Sequence, residues 1–208
     1  MTQFEHLVHE YKALVPFRIR YKDEAWEMQL LNLFVFWFCP GFLNHYTTVI
    51  GSTIYFPSRY YVETHPQSAM RTLAHEVVHL LDSERLSLPL FMGGYLFPQV
   101  LALGVFLFPF IGIWALGFLL FLLPIPAPFR FYAESRAYAM DVLTAQPAYR
   151  ESMKQAAVSH FSDWNYYKMF PFEDQVKESI DKWVVEAEAG RDPVLLKVLL
   201  VYELVAEA

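Results

Sequence analysis

The pentapeptide His75-Glu76-Val77-Val78-His79 is the densest concentration of chemistry in this sequence. Residues four apart on a helix lie one turn apart on one face, so the two imidazoles can reach a single cation, and the pattern suits Zn2+. Glu76 then stands beside the open coordination position. A carboxylate there can take a proton from an activated water and pass it to a leaving amine. A catalytic zinc site also needs a third protein ligand. The lone Cys39 excludes a cysteine-based cluster and a disulfide framework, reads as core rather than chemistry, and leaves His or a carboxylate for that place. The expected ligand is Glu134, on the first helix after a long uncharged run. Asp82, three residues beyond His79, is its rival, and could instead orient an imidazole from behind. Charge developing on a carbonyl oxygen calls for a donor. Tyr138, four residues after Glu134 on the same face, is the first candidate, with Tyr132, Tyr46 and His160 behind it.

These groups must be positioned by a chain that contains a long apolar interruption. From Leu86 to Phe129 there is no Asp, Glu, Lys or Arg. A membrane-crossing helix needs ~20 apolar residues, so the run has room for two. The expected hairpin has arms Leu86–Leu107 and Phe110–Leu123, turning near Phe108-Pro109-Phe110. Pro98 and the short second arm leave tilt, local thinning or a re-entrant hairpin open; two full spans are the expectation. An even number of crossings brings Glu134 back to the side of His75 and His79. All Lys and Arg lie on that shared side, which places it in the cytoplasm, and the N-terminus carries no apolar signal-peptide core. Leu30–Leu43 reads as a core or interfacial helix.

The fold class expected is α+β and mainly helical, in three segments. Residues 1–85 hold a first helix over 3–14, a strand at 17–22, a helix opening at Asp23-Glu24, a β-hairpin around Gly51-Ser52 and the histidine helix. Residues 86–129 form the membrane hairpin. Residues 130–208 supply helices near 130–145, 147–160, 173–189 and 193–206, with Gly190 and Pro193 as stop and start signals. The aromatic run from Phe161 to Phe172 lines a cleft or packs as core. With 16 basic and 22 acidic residues and a net charge of −6, no basic footprint supports nucleic-acid binding.

The residues His75, Glu76, His79, Glu134 and Ala137, in this order around a hydrophobic interruption, resemble the gluzincin zinc metallopeptidases, in particular the membrane-embedded HtpX and CAAX prenyl protease branch and the compact minigluzincins. The resemblance covers residues 46–145. It implies a membrane-anchored endopeptidase with zinc on His75, His79 and Glu134. It also implies an edge strand around Ser52–Pro57 that pairs with an extended peptide substrate. Where that branch carries Asp after the alanine, this chain has Tyr138, so Asp141 or Asp82 must supply the carboxylate behind the ligands. The rival from another class is a non-catalytic metal-binding or structural membrane protein whose hairpin mediates assembly. A membrane-perforating hairpin is a third reading, opposed by the lack of any polar stripe beyond Gln99.

Overall fold

A computed structural model describes residues 1–36, 41–163 and 170–207. Cys39 and the Trp164–Met169 portion of the aromatic run lie outside them. The chain is mainly helical with one small sheet. Helix α1 (Gln3–Leu14) starts at a capping box in which Thr2 and Glu5 satisfy each other's backbone N–H. Strand β1 (Arg18–Tyr21) follows, its side chains alternating between exposed and half-buried as the period-two pattern predicts. Helix α2 (Trp26–Val35) opens three residues later than Asp23, because Asp23 and Glu24 form the turn off β1. Short α3 (Phe42–His45) leads to β2 (Thr48–Ile50) and β3 (Thr53–Phe56), the expected hairpin about Gly51-Ser52.

Sheet order corrects one expectation. β3 is the central strand, parallel to β1 and antiparallel to β2, so residues 53–56 have no free edge to offer a substrate. The edge on the hairpin side is β2. β1 completes the sheet through a long-range parallel pairing that hairpin-level reading does not reveal.

Helices α4 (Arg59–Thr64) and α5 (Pro66–Leu86) carry the chain under the sheet, with Pro66 in the first turn of α5. The buried face of α5, including Leu73, Ala74, Val77 and Leu80, joins the main core with Leu7, Tyr11, Phe56, Leu195 and Val198. Fully burying side chains of this size stabilises by about 1.5–3 kcal/mol each. After the apolar run come α8 (Pro128–Leu143), α9 (Arg150–Ser162), α10 (Glu173–Glu188) and α11 (Pro193–Ala206), in register with the sequence reading. α8 packs on α5 and α10. Phe161 is core, and Phe170 stacks on Phe131 at 4.0 Å, so the described part of the aromatic run packs inside the domain.

The apolar run departs most from expectation. Its first third is α6 (Leu88–Leu96), which packs on α5 and α8 as part of the domain. At Gly94 a Cβ would stand 2.9 Å from the Phe129 ring, so this helix crossing requires glycine. Gln99–Leu122 is the one stretch among the described residues long and apolar enough to cross a membrane, and almost none of it is buried. It folds back on itself: 3₁₀ segments Gln99–Leu107 and Gly112–Leu122 pack side by side about a short α7 (Phe108–Ile111). The turn falls where Phe108-Pro109-Phe110 predicts it, but the first arm begins at Gln99 rather than Leu86.

Candidate metal centre

His75 and His79 occupy adjacent turns on the face of α5 turned away from the main core, and Glu134 reaches them from α8. All three are buried. Among the described residues they form the one group whose ligand atoms converge, lying within 4.8 Å of one another. Nε2 of His75 is 3.7 Å from Glu134 Oε2, and Nε2 of His79 is 3.7 Å from Glu134 Oε1. Those distances are too long for hydrogen bonds. They approach the roughly 3.3–3.4 Å that tetrahedral bonds of ~2.0–2.1 Å to a common ion impose on neighbouring donors.

The residues present fit a metal ion. Glu134 Oε2 is buried with no hydrogen-bond partner, a costly arrangement unless a cation completes it. The tautomer of His75 is also set for ligation. Its Nδ1 lies 2.9 Å from Asp141 Oδ2, and an Nδ1–H donated there leaves the Nε2 lone pair facing the centre. Asp141, seven residues after Glu134, therefore fills the place the sequence left to it or to Asp82. Asp82 is elsewhere: both its oxygens accept from Arg136 Nη1, and the other side of that guanidinium is held by Asp192 at 2.7–3.1 Å. Asp192 also caps α11 through the Val194 and Leu195 amides. This buried triad clamps α5, α8 and α11 together and fixes Glu134 against the histidines.

Electrostatics follow from burial among like and unlike charges. Burial pushes Glu76 up, His75 opposes this, and the Glu134 and Asp141 charges add to it, leaving the group at about 7. Burial lowers His75, but the charge and hydrogen bond of Asp141, with Glu134, outweigh it and hold the imidazole well above its ordinary value. His79 has no such partner for its buried Nδ1, and burial carries it down to about 4. Burial raises Glu134, yet the neighbouring imidazoles and Arg130 bring it to about 2.

Two cavities meet at His75 and Glu76. The larger, about 430 Å³, runs between the β2 edge (Thr48, Val49) and α6, and also holds His79, Glu134 and Arg130. The second, about 300 Å³, extends toward α9 and holds Tyr138, Asp141 and His160. Tyr46 borders both. The Tyr138 and His75 rings meet nearly perpendicular with centroids 4.9 Å apart, and the Tyr138 hydroxyl is 3.2 Å from His160 Nδ1. Tyr132 packs against Trp183 instead. Comparison with protein-family models, with curated proteins and with solved structures finds no match.

Sequence reasoning missed α6. Its Tyr95 hydroxyl donates to Glu134 Oε1, its Phe91 packs on His79, and Arg130 stacks over the Tyr95 ring. One signal was available: Tyr95 is one of four side chains with a polar group in the run, beside Ser87, Gln99 and Trp114, and a buried tyrosine hydroxyl seeks a partner.

Proposed function

We propose that this chain is a zinc-dependent metallopeptidase of the gluzincin type, anchored to a membrane by the Gln99–Leu122 hairpin with its catalytic domain on the cytoplasmic side. One observation carries the reading: two histidines and a glutamate converge in a buried cluster at the junction of two cavities, with Glu76 facing that junction. The His2Glu donor set with one imidazole oriented by a carboxylate favours zinc over harder cations.

A bound zinc ion supplies Lewis-acid polarisation of a water molecule and of the scissile carbonyl. The rest falls to the chain. Glu76 accepts a proton from the attacking water as its oxygen bonds to the carbonyl carbon, and delivers that proton to the amine nitrogen as the C–N bond breaks. Tyr138, held by His160 at the rim of the second cavity, is assigned as donor to the developing oxyanion. The substrate lies as an extended segment along the free edge of β2, with alternate side chains directed into the apolar wall of α6. The test is Glu76→Gln. It keeps shape and zinc stoichiometry but cannot accept the proton, so cleavage of a quenched peptide library should fall ~10²–10⁴-fold. A zinc-loaded wild type that cleaves nothing, matched by Glu76→Gln in cells, would favour the non-catalytic metal-binding alternative.

A further inference from the structure

We infer that the Gln99–Leu122 hairpin enters a bilayer from the side occupied by the rest of the domain and turns back within the hydrocarbon, without reaching the far interface. The inference rests on the membrane-anchoring half of the preceding reading and is independent of the peptidase half.

Length decides first. The arms are 9 and 11 residues in 3₁₀ geometry, which at ~2.0 Å per residue gives roughly 18 and 22 Å. A hydrocarbon core is ~30 Å thick. The tip therefore passes the midplane and stops short of the far interface. Relaxing the arms to α-helix, at ~1.5 Å per residue, would shorten them further.

The arms also cannot borrow length from their neighbours. Upstream lies α6, whose Phe91 is buried against His79 and whose Tyr95 is bonded to Glu134, so drawing it into a span would dismantle the metal centre. At the base, Gln99 Nε2 donates to the Ile125 carbonyl at 3.1 Å and ties the two ends together. Downstream, α8 begins at Pro128 and is committed to carrying Glu134.

The surface of the hairpin identifies its solvent. The arms meet through small residues: Ala115 is buried, and a Cβ at Gly104 would collide with the Phe118 ring at 2.4 Å. Close contact inside turns the large side chains outward, leaving Phe106, Phe110, Ile113, Trp114 and Leu120 all exposed. A protein groove covers one face, but here the apolar side chains point in every direction, which fluid acyl chains cover and a single docking partner does not. Because α6 joins this hairpin directly to the larger cavity, the mouth of that cavity sits at the bilayer surface.

The experiment uses the full chain in a Cys39→Ser background, added to preformed phosphatidylcholine vesicles. Flotation establishes binding. Thiols are then introduced separately by Phe110→Cys at the tip and Arg150→Cys in the domain. An impermeant maleimide outside should modify the Arg150→Cys thiol and leave the Phe110→Cys thiol at least about tenfold slower, and reagent trapped in the lumen should modify neither, because neither site faces the lumen. Dissolving the vesicles in detergent should restore tip labelling. A bimane on the tip thiol should be quenched more by lipids brominated mid-chain than by lipids brominated near the headgroup. Tip labelling from the lumen means two full spans and overturns the inference while leaving the membrane reading intact. Tip labelling from outside, as fast as that of Arg150→Cys, means the hairpin is in water and overturns the inference. Failure to float overturns the membrane reading itself.

Discussion

In the layer formed by α5 and α8 ionic side chains lie nearly as deep as the apolar core, with Glu134 at 2% and Arg136 at 3% exposure, whereas in the Gln99–Leu122 hairpin the most exposed side chains are aromatic, with Phe110 at 83% and Trp114 at 82%. The two regions are joined by one short helix and invert the usual rule that apolar groups go inside. In the first, burial of charge is tolerated because nearly every ionic group has a defined partner: Arg136 with Asp82 and Asp192, His75 with Asp141. Two buried atoms without a hydrogen bond, Glu134 Oε2 and His79 Nδ1, sit where a cation would be or directly behind it. In the second, the membrane reading proposed above has acyl chains rather than water cover the apolar surface. Polarity alone does not predict depth; the identity of the partner does.

Substitutions can break either side of that contrast. The largest effect is expected from Glu134→Ala, which removes one of three ligands: stoichiometric zinc retention and peptide cleavage should be lost together, as read by metal analysis after gel filtration. Retention of one zinc per chain would show that the ligand set is wrong. Next, Arg136→Leu leaves two buried aspartates facing each other without a cation and should destabilise by about 3–5 kcal/mol in denaturant titration. A change below about 1 kcal/mol would mean that the triad is not a structural clamp. On the other side, Phe110→Asp should weaken vesicle binding by the ~2.5–3.5 kcal/mol that a carboxylate in hydrocarbon costs. It should leave thermal stability in detergent unchanged, which separates the hairpin's solvent from the domain's core.

Two smaller effects sharpen the account of the metal side. Asp141→Asn removes the charge that orients His75 and should lower zinc affinity ~10–100-fold by competition titration. The pH dependence has a definite sign. With its value raised above the ordinary one, metal-free His75 carries a proton at neutral pH that zinc must displace. Affinity should therefore fall about tenfold per unit as pH drops below that raised value and level off above it. Asp141→Asn should move the bend to lower pH.

Legibility followed the range over which residues interact. His75, Glu76 and His79 are adjacent turns of one helix, and Glu134 and Asp141 share a face of another, so periodicity exposed all five. Bringing the two helices together required only that the chain return to the side it left. The Arg136–Asp82 and Arg136–Asp192 pairs are separated by 54 and 56 residues, and nothing local marks them. The central position of β3 depends on the distant β1. The phase of α6 was hidden for another reason: in a run apolar on every face there is no polar stripe to show which side meets a neighbour, so Tyr95 and Phe91 could not be oriented toward the centre.

The position of Asp192 sets an order of events during synthesis. The hairpin ends at Leu122, whereas the clamp on α8 closes only when Asp192 arrives to hold Arg136 and start α11. At ~5–20 residues per second the ribosome needs roughly 4–14 s to cover the interval. Throughout that delay the nascent chain carries a completed apolar hairpin while the clamp that holds Glu134 against His75 and His79 is still open. On the membrane-anchored reading proposed above, contact with the bilayer would thus have a head start of seconds over closure of the histidine–glutamate cluster.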